Sequence, residues 1–343
     1  MAFSAVLSLP GLQFAKRAAL FEALVRAEHR AGSVLDVTVG DRVAVLLTDP
    51  DAVRGLLRSG ALKGRPRSSL VGVPGYVSAG EAERSAARAS VKTALGAASS
   101  SAAAIPDDPD VAVALMAHLS GAAPCPILRA IATESRIALR AAVDRKPGAP
   151  LQVITDALPL RELLTSSAFV NVLRERGWDD DAIAEEIVML TFAGWASISA
   201  VLESACTVGV GGRSVTAFDV DELLRLAPPG WLITRELTAP TVLAGCTLPS
   251  GILVMTSPWL IQRDAAWWPE PGRYDPHRPG LRKSAAYLPF GLGKWACPAE
   301  LYSRSILLEL LRRRDAGAAA VTIRPALIDE RSACLMRMGT DTR

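Results

Sequence analysis

Five prolines between Pro269 and Pro289 deny that stretch any regular helix or sheet, so the chain must carry a long irregular segment. What flanks it narrows the fold. Upstream, Trp231–Thr234, Thr241–Leu243 and Leu253–Thr256 read as short strands, and downstream Ala299–Arg314 has a helical period. Helical patterns fill Leu160–Arg176, Asp180–Cys206 and Asp219–Leu226. The Ala-rich span from Gly80 to about Val143 is helical as well, with the Ala/Ser tract Ala97–Ala104 and Pro106-Asp107-Asp108-Pro109 as connections between helices. Nearer the start, a helix over Phe14–Ala31 ends at Gly32. Val34–Val39 and Val43–Leu47 then form a hairpin about Gly40-Asp41, and Asp49-Pro50 opens a helix through Leu57. The elements do not alternate as βαβ units do, which disfavours a doubly wound parallel sheet. The expected fold class is mainly α with small β regions (α+β). One domain is expected over residues 1–343, with minor β parts near 32–48 and 231–256, a helical core over 80–226, and a ligand loop and helix over 288–314.

Composition excludes several functions. With 38 Lys+Arg against 35 Asp+Glu the formal charge is 38 − 35 = +3, too balanced for nucleic-acid binding by bulk electrostatics. Half the residues are apolar and 21% are charged, which excludes disorder for most of the chain. His29, His118 and His277 lie far apart, so zinc sites rich in histidine have little to work with. Cys125, Cys206, Cys246, Cys297 and Cys334 form no C-x-x-C pair and are odd in number, which fits reduced thiols in a cytoplasm. Lys16 and Arg17 follow the apolar start instead of preceding it, the wrong order for a signal peptide. The uncharged run Ile187–Leu202 is shorter than the ~20 residues of a span and reads as a buried helix, so no membrane is expected. Gly209–Gly212 lacks the strand and helix context of a phosphate loop.

The chemistry concentrates in Leu288-Pro289-Phe290-Gly291-Leu292-Gly293-Lys294-Trp295-Ala296-Cys297-Pro298-Ala299-Glu300. There a lone cysteine sits just before a helix that opens with Pro298. The positive end of a helix favours a thiolate, and a soft anionic sulfur is a good iron ligand. The plainer alternative is a small buried cysteine beside a glycine turn.

Phe290-x-x-Gly293-x-x-x-Cys297 resembles the haem-binding loop of the cytochrome P-450 family, whose cysteine thiolate ligates haem iron. Other segments agree in order. Glu222-Leu-Leu-Arg225 is similar to the family's E-x-x-R motif, and Tyr274-Asp275-Pro276-His277-Arg278 to the segment whose arginine joins that pair. Ala193-Gly194-Trp195-Ala196-Ser197 resembles the oxygen-binding groove, with Gly194 leaving room and Ser197 handling protons; an ordinary small-residue packing stripe is the alternative. Arg235 falls where the family keeps a propionate arginine, although a solvated strand arginine would look the same. Arg88 belongs to the helix that supplies further propionate ligands. The resemblance implies a triangular helical prism around haem b, held through Cys297 by its iron, with Phe290, Gly291, Gly293, Arg235, Trp295 and Arg88 about the cofactor and a minor sheet domain.

The chain departs from that pattern at several positions. Trp295 replaces a basic residue, Ala299 a glycine, Glu83 a propionate-binding histidine, and Ala196 an acid, while Ala87 stands where an arginine is usual. The interval from Ser197 to Glu222 is short for the family, as is the region between Arg88 and Ile187. The resemblance implies a soluble, cytoplasmic monooxygenase acting on an apolar small molecule, such as a natural-product intermediate, with a ferredoxin and its reductase supplying electrons. Two alternatives follow from the departures: a haem-free relative serving as activator of a glycosyltransferase, or a haem protein acting as peroxygenase, dehydratase or isomerase. Lys294, Arg304, Arg312, Arg313 and Arg314, with Arg282 and Lys283, form either a ferredoxin docking patch or, for Arg312–Arg314, a complement to a helix C-terminus.

Overall fold

The computed structural model describes residues 6–9, 34–39, 42–63, 81–101, 104–134, 158–212, 214–243 and 245–314. The helix expected over Phe14–Ala31, the Gly40-Asp41 turn, the last part of the Ala-rich span and the tail beyond Arg314 lie outside the described residues. The described residues fall into two compact units. One holds residues up to 63 together with 216–297, the other 81–215 together with 298–314.

The first unit is built on a six-stranded sheet of β1 (Val6–Leu9), β2 (Val34–Val39), β3 (Arg42–Leu47), β4 (Leu62–Lys63), β5 (Ile233–Leu237) and β8 (Leu253–Thr256), in the order β1-β2-β3-β8-β5-β4. β2 and β3 pair antiparallel from Val34↔Leu47 to Val39↔Arg42, as the two β-branched runs predict. β3 then runs parallel to β8, which pairs antiparallel with β5. All four residues of β8 are buried, so both faces of this central strand are covered and it reads as a continuous apolar run. β6 (Thr241–Leu243) and β7 (Cys246–Leu248) make a separate two-stranded ribbon.

The helix α1 (Pro50–Arg58) starts where Asp49 accepts the N–H of Ala52 at 2.7 Å and Pro50 presets the first turn. Its Val53, Leu56 and Leu57 join Leu47, Val254 and Leu288 in the unit's apolar core. This unit also holds α7 (Ala217–Leu226), the short α8 (Pro258–Ile261) and the proline-rich meander after it, which contains no helix longer than the 3-10 turn at Leu281–Lys283.

The second unit contains α2 (Glu81–Ser100), α3 (Val111–Ser120), α4 (Leu158–Arg161), α5 (Ala168–Glu175), α6 (Asp180–Thr207) and α9 (Glu300–Arg314). The Ala/Ser tract, expected as a connection, continues α2 to Ser100: alanine is the best helix former, and the Ser99 hydroxyl donates back to the Leu95 carbonyl. Leu160–Arg176 divides into α4 and α5 because the Ser167 hydroxyl accepts the N–H of Val170 and caps a new helix. α6 begins at Asp179, whose side chain takes the N–H of Ala182 at 2.8 Å. It is long and apolar enough by composition to cross a membrane, and 59% of its most apolar window is buried inside the protein. α3 is buried nearly all round against α6. α9 packs on α2 and α6, and its buried Tyr302 hydroxyl lies 2.9 Å from His118 Nδ1 on α3. Burial pushes the Tyr302 phenol above its ordinary range, so it stays protonated.

The short interval after Ser197 appears as a link of nine residues between Thr207, the end of α6, and Ala217, the start of α7. The end of α9 secures it. The Leu311 carbonyl accepts the N–H of Gly212 at 3.0 Å, and Arg312 Nε donates to the Val215 carbonyl at 2.8 Å.

Candidate functional site

α7 is buried on every side from Val220 to Leu226, including three ionisable residues. Burial of charge on that scale demands complete pairing, and the chain supplies it. Glu222 and Arg225, both 0% exposed, form a bidentate pair: Nε donates to Oε2 and Nη2 to Oε1, each at 2.8 Å. The remaining Arg225 N–H groups donate to the Gln262 and Pro271 carbonyls at 2.8 Å and to Arg273 O at 3.2 Å, so all five donors are used. Arg278, the third member expected from the sequence, donates from Nε to Glu222 Oε1 at 3.0 Å and from its Nη groups to the carbonyls of Pro269, Glu270 and Arg273. Glu222 also accepts the N–H of Asp275 at 3.0 Å. One carboxylate and two guanidinium groups thus organise a segment that its prolines keep out of regular structure.

A further pair one turn earlier on α7 escapes sequence reasoning. Asp219 accepts the N–H and the hydroxyl of Thr216 at 2.8 and 2.7 Å, and the hydroxyl of Tyr274 from the meander. Thr216 and Asp219 form a capping box that the spacing could have revealed, but the Tyr274 contact spans 55 residues of chain. Burial pushes the Asp219 carboxyl up, and hydrogen bonds from Tyr274, Thr216 and the local backbone outweigh it, leaving the carboxyl below its ordinary range. Its folded value being depressed, Asp219 contributes stability above the ordinary carboxylate range. That contribution fades as pH falls, and is lost once pH passes below the depressed value. Tyr274→Phe should therefore lower the urea midpoint near neutral pH, and the gap to the wild type should close as acid protonates Asp219; a gap that widens in acid would contradict this.

The cysteine loop turns through Gly291 at φ 68° and Gly293 at φ 69°, both left-handed. The N–H of Cys297 then donates to the Phe290 carbonyl at 2.8 Å, closing the loop. Gly293 is confined as well as left-handed: a Cβ there would lie 2.2 Å from the Leu57 carbonyl oxygen at the end of α1. Cys297 and Cys125 are half-buried and Cys206 is exposed, and all three are outside any disulfide. Phe290 and Gly291 are half-buried, while Trp295 falls in the 3-10 turn Gly293–Trp295. Arg235, on β5, lines a small apolar hollow with Leu47, Val53, Ile233, Val254 and Thr256, and its Nη1 donates to the Thr234 carbonyl at 2.8 Å.

The other expected site residues belong to the second unit. Ala193, Gly194 and Ser197 share one turn of α6, where the Ser197 hydroxyl donates to the Ala193 carbonyl at 3.2 Å. The nearest atom to a Cβ placed on Gly194 is Leu115 Cδ1 at 3.7 Å, ordinary contact, so close helix packing does not demand glycine there. Arg88 and Ala87 are half-buried on α2, which also carries Glu83.

Much of the basic cluster is engaged internally. Arg304 pairs with Glu300 at 3.2 Å, Arg282 lies 3.8 Å from Asp221, Arg312 donates to Val215 O, and Arg313 donates to Ile105 O and to Glu309. Lys283 and Lys294 are exposed. Among the described residues no group of histidine, cysteine and acidic side chains is arranged to hold a metal ion, which leaves Cys297 as a single-sulfur donor.

The chain thus combines a half-buried thiol in a glycine loop, an ion-pair lattice on a buried helix, and a mainly helical fold with minor sheets. The cytochrome P-450 family model matches residues 216–313. The chain is 32% identical over 155 residues to cyclooctatin synthase of Streptomyces melanosporofaciens, covering 36% of this chain and 34% of that protein. It is 36% identical over 97 residues to pentalenene oxygenase of Streptomyces avermitilis, covering 27% and 22%. These matches span about a third of the relatives' length or less. The fold resembles the crystal structure of CYP175A1 from Thermus thermophillus, with a TM-score of 0.57 and 22% identity over 90% of this chain and 92% of that one. Residues 216–313 are thus similar to the cytochrome P-450 family, and the fold is similar to that of a solved structure.

Proposed function

We propose that the protein is a haem-thiolate monooxygenase acting on an apolar small molecule. The observation that carries this reading is the Cys297 loop, shaped by two left-handed glycines and placed directly before α9. A single soft sulfur outside any disulfide suits haem iron, whereas the common zinc sites need three or four ligands. Thiolate-bound haem supplies oxygen activation to the site. Cys297 would hold the iron, and Phe290, Gly291 and Gly293 would keep the sulfur's loop in one conformation. Arg235 and Arg88 offer cationic groups for the haem carboxylates. Ser197 presents the hydroxyl for proton delivery, with Ala196 beside it where the family usually has an acid. Relatives named as an oxygenase and as a 5-monooxygenase support the reaction class, and the chain's apolar bias supports an apolar substrate.

Electrons are assigned to a ferredoxin and its reductase. Arg282, Lys283 and Lys294 are exposed cations that could face such a partner, and reduction rates that do not respond to salt would count against docking by charge.

The test is the spectrum of haem-loaded, reduced protein under carbon monoxide. A red-shifted Soret band marks thiolate ligation, and Cys297→Ala should abolish it. Survival of the band in that variant would remove Cys297 as ligand. Colourless protein from haem-supplemented cells would favour the partner role beside a glycosyltransferase, which the replacements at Glu83 and Trp295 keep open. A thiolate band with turnover by peroxide alone would favour a peroxygenase.

A further inference from the structure

The last four carbonyls of a helix lack partners within it, and at a buried end each needs one from elsewhere. At the end of α7 they are all satisfied. The N–H of Ala227 donates to Leu223 O at 2.8 Å, and Arg263 Nη2 donates to Leu226 O at 2.6 Å. Gln262 Nε2 donates to both of the others, Leu224 O at 3.0 Å and Arg225 O at 2.9 Å. Gln262 is 0% exposed, and its Oε1 accepts the N–H of Leu288 at 2.7 Å. Its backbone carbonyl receives Arg225 Nη1 at 2.8 Å. Leu288 lies two residues before Phe290, whose carbonyl takes the N–H of Cys297.

We infer that Gln262 is a positioning residue for Cys297, joining the Glu222–Arg225–Arg278 lattice to the segment that enters the cysteine loop. This rests on the reading of Cys297 as iron ligand. The side-chain chemistry is restrictive. Two N–H donors must face two carbonyls while one acceptor faces an N–H, a polarity that an amide alone provides. Glutamate would set a carboxylate against two carbonyl oxygens, lysine and arginine have no acceptor, and asparagine is one methylene short. With Gln262 in place, the segment entering the loop is fixed to a helix end by a hydrogen bond made inside the core, where water does not compete.

Gln262→Met keeps length and bulk but removes all three hydrogen bonds. In the haem-loaded protein it should lose most of the thiolate-type carbon monoxide band relative to total haem, with faster hydrogen exchange at the Leu288 amide. Ser257→Ala is the control: its hydroxyl donates to Trp231 O at 2.7 Å and caps α8, equally buried but with no side-chain hydrogen bond to the cysteine segment. It should lower the melting temperature while sparing both readouts. Gln262→His, which keeps one donor and one acceptor, should restore part of the band and covers the case in which the methionine variant does not fold. A variant band in wild-type proportion, or equal loss in Ser257→Ala, overturns the positioning role. A wild-type protein without the band removes the ligand reading itself, a different outcome.

Discussion

Glu222→Gln is expected to destabilise the protein by about 3–5 kcal/mol, the cost of leaving buried charge without its partner. Two guanidinium groups depend on this carboxylate, Arg225 at 0% exposure and Arg278 at 7%. Glutamine keeps the volume but removes the negative charge. Its amide N–H groups would also face cations or the N–H of Asp275, which donate and cannot accept. Five backbone carbonyls still take the arginine donors, so the variant should not scatter the meander altogether. The informative comparison is Glu270→Gln. Glu270 pairs with Arg273 at the same 2.8 Å, but the two side chains are 69% and 66% exposed. Exposed pairs contribute about 0–1 kcal/mol, so geometry alone predicts equal losses and burial predicts a large difference. Urea denaturation of both variants decides between them, and a Glu222→Gln loss no larger than that of Glu270→Gln would refute the account of the lattice.

Gly293→Ala should cost about 2–5 kcal/mol, combining about 1–2 kcal/mol for a left-handed non-glycine residue with about 1–3 kcal/mol for overpacking. The second contribution is the distinctive one. The obstructing atom is a backbone carbonyl at the end of α1, 2.2 Å from the new Cβ, and it cannot rotate away as a flexible side chain could. Either α1 or the loop must shift, and the loop is the part that carries Cys297. Gly251 provides the contrast, since its φ is 81° but a Cβ there meets nothing within 4 Å. Gly251→Ala should therefore show only the conformational cost. Equal melting temperatures for the two variants would mean that the approach of Leu57 to the loop does not constrain it.

The elements with local signals were legible in the sequence. Asp49-Pro50 and Asp179-Asp180 mark helix starts because a cap acts within three residues, and the β2–β3 pairing follows from two β-branched runs two residues apart. The boundaries that shifted have local causes too, as in the Ala/Ser tract that remained helical and the serine that divided α4 from α5. Glu222, Arg225, Arg278 and Cys297 were visible only as a pattern of spacings, because nothing within a few residues of Glu222 reports that Arg278 reaches it.

The sequence by itself determined most of the helical segments among the described residues, where prolines forbid them, and that a single sulfur stands in a glycine loop before the last described helix. These are short-range properties of backbone and side chain. Only the tertiary structure decided that Gln262 serves both the end of α7 and Leu288, that Tyr274 meets Asp219, and that Gly293 has no room for a methyl group. Each depends on chain segments brought together from 26 residues away or more, and such contacts are selected by burying polar groups with their partners, a requirement that leaves no periodicity in the sequence.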